Sequence, residues 1–317
     1  LKNIKNYFHK SEWTYYHHRY GTHIRKNRRN TFAVWFLSLA MVSGCFLLAV
    51  GLIIPLMKNV VYSQESHNNQ SINPRLQDEK KTDEKVSPIN INNPELEAIV
   101  KDKLSQLPVR QQWSVYIYDL KNDSTVEVNT RKTQDAASLY KLFLLARLEE
   151  KLPYDQWSYT WLSDQNVSDC VYNMLRQDDD PCSEDLADYL GGESVDKYNQ
   201  NNGFRDTRLS GNLGRQTTAR EVGRLMVDLK KGQILSDNAR RFVFDGLYSQ
   251  ELKKGIQPGC GDCRTANKLG QLTDVAYDAG VVTHGKRSYV LVAMSQGGSF
   301  KQISQLTDLV DNYLIKN

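Results

Sequence analysis

Asp135-Ala136-Ala137-Ser138-Leu139-Tyr140-Lys141-Leu142-Phe143-Leu144-Leu145-Ala146-Arg147-Leu148 is the stretch around which the chain is organised. Small residues lead into Leu, Phe and Ala on most faces, the pattern of a buried helix. Ser138 and Lys141 are three apart, so on a helix they stand one above the other. A hydroxyl beside an amine in apolar surroundings is a candidate activated nucleophile. Burial disfavours an ammonium, and a neutral amine can take the serine proton. The spacing alone is weak, because Ser194-Val195-Asp196-Lys197 repeats it. There, after Gly191-Gly192, Ser194 reads as a helix N-cap.

Working outward, the 317 residues can hold one sizeable domain with appendages. A formal net charge of only +4 gives no global argument for a nucleic-acid partner. The charge is unevenly placed. Lys2, Lys5, Lys10, Arg19, Arg25, Lys26, Arg28 and Arg29 face a single acid, Glu12, and then Thr31 to Met57 carries no charge. Some 25 residues at 1.5 Å each span roughly 38 Å, enough to cross a hydrocarbon core with tilt. The run is too long for a cleaved signal peptide and has no polar face, so we read residues 32–57 as a transmembrane helix. Basic residues before it put the tail 1–31 in the cytoplasm, at the anionic leaflet, and everything after it outside the cell membrane. Residues 58–93 shift to Ser, Asn, Gln, Lys, Asp and Glu, the composition of a disordered tether. It would hold the domain 94–317 about 30 Å from the membrane.

Four of the five cysteines, Cys170, Cys182, Cys260 and Cys263, fall on the outer side. An even count in an oxidising compartment suggests two disulfides. Three connectivities exist, and proximity favours 170–182 with 260–263. The pair Cys260-Gly261-Asp262-Cys263 also has the outline of half a zinc site. Cys170 and Cys182 are too widely spaced for the other half and only His284 lies nearby, so neither metal nor cofactor is expected.

Asn93-Pro94 opens the domain, with Leu96, Ile99, Val100 and Leu104 at helical spacing. Trp113 to Leu120 alternates as a strand, turns at Lys121-Asn122-Asp123 and returns through Thr125-Val126-Glu127-Val128. Helical segments run from Ser138 to about Asp245. Residues 278–283 and 288–294 form a second hairpin turned at Gly285, and a helix over 300–315 closes the chain. This order suits an α+β fold, an antiparallel sheet with the first and last helices on one face and a helical lobe inserted.

Four strings in this order resemble the class A β-lactamase and penicillin-binding-protein clan of serine hydrolases, over roughly residues 95–317. Ala136-Ala137-Ser138-Leu139-Tyr140-Lys141 resembles the SxxK nucleophile motif. Asp188-Tyr189-Leu190-Gly191-Gly192, followed by Gly203 to Leu209, looks like the helix and Gly-Gly turn after the second motif. Gln216-Thr217-Thr218-Ala219-Arg220-Glu221-Val222-Gly223-Arg224-Leu225-Met226 resembles the helix entry after the Ω-loop. Ala266-Asn267-Lys268-Leu269-Gly270, with Tyr277 to Val282, looks like the KTG strand and its partner. The resemblance implies a β-lactamase-like fold and an acyl-enzyme on Ser138, with Lys141 as base. It also implies substrate contacts from Lys268 and Gly270, and an oxyanion hole at the backbone N–H groups of Ser138 and Gln271. β-Lactams or cell-wall peptides are the implied substrates.

The departures bear on activity. Ser236-Asp237-Asn238 spells the second motif but comes too late, where Ser236 is a helix N-cap. Counting back from the Gly-Gly turn by the family spacing lands on Asp178-Asp179-Asp180. Asp178 then replaces the proton-relay serine and Asp180 the substrate-binding asparagine. A carboxylate at 178 keeps Lys141 charged, a poor base, and repels a substrate carboxylate. The residues equally permit a solvated acidic loop shaped by Pro181 and Cys182. Leu269 replaces the hydroxyl residue of the third motif. Ser210-Gly211-Asn212-Leu213-Gly214-Arg215 supplies no deacylating acid, and Glu221 lies too deep in the next helix. Two readings stand: a membrane-anchored serine hydrolase slow in deacylation, and a catalytically silent module binding wall peptide or a protein.

Overall fold

The structure is a computed structural model that describes residues 91–316. The expected cytoplasmic tail, the transmembrane span and all but the end of the tether lie outside the described residues. Among the described residues no helix is long and apolar enough to cross a membrane.

Alternation builds the sheet. In Gln112–Asp119 (β2), Val115 and Ile117 turn to one face, Tyr116 and Tyr118 to the other, and all four are buried. Ser124–Val128 (β3) pairs back on β2 through a turn at Asp123. Gln134–Asp135 (β4) pairs with Gln216–Thr217 (β7), and Trp161–Leu162 (β5) with Gln165–Asn166 (β6), apart from this sheet. Arg264–Leu272 (β8), Val275–His284 (β9) and Arg287–Gln296 (β10) complete an antiparallel set, with Gly285 turning β9 into β10 at φ 58°. Ile91–Asn92 (β1) adds in parallel to β3, giving the order β1-β3-β2-β10-β9-β8. The folded unit thus takes in two residues read from the sequence as tether. Ile91-Asn92 continues the alternation of Ile89-Asn90, a run too short to stand out within a polar stretch, and the pairing edge that recruits it lies some thirty residues downstream.

Among the described residues there are nine helices. They are Pro94–Ser105 (α1), Tyr140–Lys151 (α2), Val167–Arg176 (α3), Asp180–Leu190 (α4), Gly192–Asn201 (α5), Ala219–Lys231 (α6), Asp237–Tyr248 (α7), Ile256–Gly259 (α8) and Phe300–Lys316 (α9). Two apolar cores follow. On one face Leu96 and Val100 of α1 and Ile303, Leu306 and Val310 of α9 pack on Val115, Ile117 and Leu291. On the other, α2 to α7 pack on Tyr116, Val290 and Val292. Leu142, Phe143, Leu144 and Leu145 of α2 are completely buried. Each such side chain contributes about 1.5–3 kcal/mol on burial, against helix-propensity differences of under about 1 kcal/mol per residue. Tertiary burial therefore fixes α2 at the centre of the lobe.

Helix starts follow their caps. Asn93, with Pro94 behind it, accepts from Leu96 N at 3.1 Å, and Ser236 accepts from Ala239 N at 3.4 Å. Ser194 departs from its expected N-cap role. Gly191, at φ 79°, occupies the cap, α5 begins at Gly192, and Ser194 lies inside the first turn, accepting from Arg147 Nε at 3.2 Å. A glycine free to take that backbone lets the chain re-enter a helix at once, two residues before the side-chain cap could act.

Candidate active site

Ser138 is half-buried on a short 3₁₀ turn, Ala137–Leu139, that runs straight into α2. Ala137 has φ 42°, a region that costs a residue with a side chain of order 1–3 kcal/mol. Two contacts hold it there: Ala137 N donates to Asp135 Oδ1 at 2.7 Å, and Ala136 N to the carbonyl of Arg215 at 2.8 Å. Lys141, one turn on and completely buried, shares the Ser138 side of the helix. Gly270 of β8, the outer strand of the sheet, approaches this turn closely. A Cβ added there would lie 3.1 Å from that of Ala137 and 3.3 Å from that of Tyr277. Glycine is what lets the strand lie against the turn. Gln271 follows on the same strand, exposed.

The loop between α3 and α4 brings acids onto the two lysines. Lys141 Nζ donates to Asp178 Oδ1 at 2.7 Å, to the Asp178 carbonyl at 3.0 Å and to Asp180 Oδ1 at 2.7 Å. These match the three donors of an ammonium. Lys268 Nζ, also completely buried, donates to the same Asp178 Oδ1 at 2.5 Å. One carboxylate oxygen therefore bridges both lysines. Burial alone would raise the Asp178 carboxyl, but Lys268 and Lys141 together outweigh it and hold it below the ordinary carboxylate range. Asp178 has φ 62°. Its loop is closed by the Cys170–Cys182 disulfide, and Asp179 caps α4 by accepting from Cys182 N at 3.0 Å. The three acids are thus not simply a solvated loop: two face Lys141 and the middle one is a cap. Cys260 pairs with Cys263.

Residues 210–215, which meet the start of the Ser138 turn where the Arg215 carbonyl accepts from Ala136 N, are pinned at both ends. Asp196 accepts from Leu209 N at 2.6 Å and from Ser210 N at 3.1 Å. Arg215 forks onto both oxygens of Glu184 at 2.6 Å and stacks 3.8 Å over the Tyr140 ring. Glu221 is buried and accepts from Asp206 N at 2.9 Å and from Thr207 Oγ1 at 2.6 Å. Burial raises its carboxyl, and those contacts commit it to holding the preceding loop.

The sequence reading assigned no role to Asp196, Glu184 or Asp278. Only Asp278 left a local signal, a lone acid within an apolar strand. Fully buried on β9, it accepts from Ile256 N at 2.7 Å and from Asn267 Nδ2 at 2.9 Å, beside Lys268. Burial pushes its carboxyl up to about 7. Among the described residues no cluster of His, Cys, Asp or Glu is arranged to hold a metal. An open cleft of about 750 Å³ lined by Trp113, Glu127, Arg131 and Arg220 contains none of the candidate site residues.

A family model described as the beta-lactamase enzyme family matches residues 95–314. Comparison with curated proteins finds no match. Among solved structures, PBP-A is similar at a TM-score of 0.64 and 19% identity, covering 73% of this chain and 99% of its own. A single-substitution variant of PBP-A, captured as an acyl-enzyme with penicillin G, matches at 0.64 and 19%, covering 73% and 100%. A beta-lactamase from Sphaerobacter thermophilus matches at 0.61 and 17%, covering 70% and 97%. At these identities the likeness to solved structures establishes the fold.

Proposed function

The chain belongs to the beta-lactamase enzyme family, a family of serine hydrolases, and from that premise we propose that Ser138 is the nucleophile of a slow acyl-transfer site held outside the cell membrane by the residue 32–57 span. The observation that carries the reading is the bridge Lys141–Asp178–Lys268 beside the strained turn of Ser138. In the proposed step Lys141 first passes a proton to Asp178. Neutral Lys141 then takes the Ser138 proton as Oγ bonds to the substrate carbonyl carbon. The backbone N–H groups of Ser138 and Gln271 receive the oxyanion. Asp178 returns its proton to the leaving group as the acyl–leaving-group bond breaks. Because Asp178 is held below the usual carboxylate range, the first transfer is uphill and acylation is slow.

Deacylation is slow for a separate reason. Residues 210–215 carry no acid, and Glu221 is committed to Asp206 and Thr207. β-Lactams or cell-wall peptides are the proposed acyl donors. A labelled penicillin tests the reading: it should attach to Ser138 slowly and stay attached.

A second reading has its own observation in the three acceptors around Lys141 Nζ. If that ammonium never releases its proton, the pocket is a silent module for wall peptide or a protein. Absence of any Ser138 adduct in both wild type and Asp178→Ser would select it.

A further inference from the structure

We infer that this site ranks its acyl donors by the charge of the leaving group, favouring those whose leaving group is neutral or cationic over those that carry a carboxylate, so that penicillins and wall peptides ending in a carboxylate are its slower donors. The inference rests on Ser138 being the nucleophile, as proposed above.

Two buried cations side by side would ordinarily make an anion pocket. Here the place between them is filled: Asp178 Oδ1 lies 2.7 Å from Lys141 Nζ and 2.5 Å from Lys268 Nζ. Asp180 adds a second carboxylate on Lys141 at 2.7 Å. Two acids answer two bases, and no positive charge is left over for a substrate. An incoming carboxylate must either displace Asp178, replacing one anion by another, or stand beside it. In this half-buried setting the repulsion is far less screened than in water.

The neighbouring strands supply nothing to offset this. Opposite Gly270 and Gln271 on β9 stand Tyr277 and Ala276, and the β8 position after Lys268 is the apolar Leu269. Arg215 is consumed by its fork onto Glu184. Lys254 touches the Gln271 side chain at 3.3 Å, but from the exposed rim, where water and salt screen it. Asp180 keeps 75% of its side chain exposed, so the charge presented to solvent at this edge includes a carboxylate. A neutral leaving group asks for no anion site, and a cationic one gains from Asp180.

The test compares three thioesters of one acyl group on the full-length chain: leaving thiols bearing a carboxylate, its methyl ester, and a primary amine. A neutral fluorophosphonate is run in parallel to report Ser138 itself. We expect fluorophosphonate labelling at Ser138, and kcat/KM at least tenfold higher for the methyl ester and the amine than for the carboxylate. Asp178→Asn should collapse that ratio, Asp178→Glu should largely keep it, and raised salt should shrink it. Asp180→Asn, at an exposed side chain, should lower the amine's advantage should the Asp178 variants fail to fold. Labelled Ser138 with the carboxylate donor equal or preferred overturns the selectivity and leaves the nucleophile standing. An unchanged ratio in both Asn variants overturns its assignment to these acids. No labelling and no turnover of any donor overturns the reading of Ser138 and this inference with it.

Discussion

Lys141 and Asp178 are joined twice: Nζ donates to the carboxylate at 2.7 Å and to the backbone carbonyl of the same residue at 3.0 Å. The contact ties the base candidate on α2 to a loop 37 residues away and makes any proton movement at Lys141 an event at Asp178 as well.

The first prediction is that Asp178→Ser quickens acylation by a penicillin and moves its pH dependence lower. Lys141 loses one of its two carboxylate contacts and no longer depends on the uphill transfer to Asp178, while the serine hydroxyl relays the proton to the leaving group. The same change leaves two buried lysines side by side. Removing one partner of a buried ion pair costs on the order of 3 kcal/mol, so the variant should melt earlier. The pH sign follows from the depressed Asp178 carboxyl. Its contribution is present above the unfolded value of about 3.9 and is lost as pH falls through the lower folded value. Unfolding curves below neutral pH should therefore converge for wild type and variant only in strong acid.

Asp278 has the opposite sign. Its folded carboxyl is pushed up to about 7 by burial, above the unfolded value. Its favourable contribution is present below the unfolded value and is lost as pH rises through about 7. Asp278→Asn should remove that slope, so variant minus wild-type stability should grow from acid to pH 8. A constant difference across the range would contradict the assignment.

Peptide mapping without reductant should link Cys170 to Cys182 and Cys260 to Cys263. The first bridge closes a span of 12 residues, somewhat under the 15-residue loop whose closure is worth about 3 kcal/mol. Cys170→Ala/Cys182→Ala should lose somewhat less than that on denaturant unfolding. Because the span carries Asp178, the double variant should also alter acylation rate. Free thiols at all four positions would sink the pairing.

For the proposed anchoring, protease added to intact cells should release a fragment beginning within residues 62–93. Protection of the C-terminal domain would reverse the orientation.

Much of this was readable from the chain because it is local. The alternation at Trp113 to Leu120, the Pro94 helix start and the apolar run after Ser138 each follow from neighbours a few residues apart. Lys268 and the Asp178 position came from the order of motifs. The same order set the Asp178 carboxylate against Lys141, but that one of its oxygens also takes Lys268, 90 residues away, was not readable. Ser194 was misread because a glycine at positive φ took the cap instead. Ala137's strained backbone and the engagement of Glu221 with Thr207 likewise depend on packing that no spacing encodes.

The measurement that bears most directly on the central claim is the intact mass of the folded full-length chain after incubation with a neutral fluorophosphonate. The account predicts one adduct, mapped to Ser138, absent in Ser138→Ala and formed about 10²–10⁴ times more slowly in Lys141→Ala. An unmodified wild type, or an adduct that survives Ser138→Ala, would contradict it.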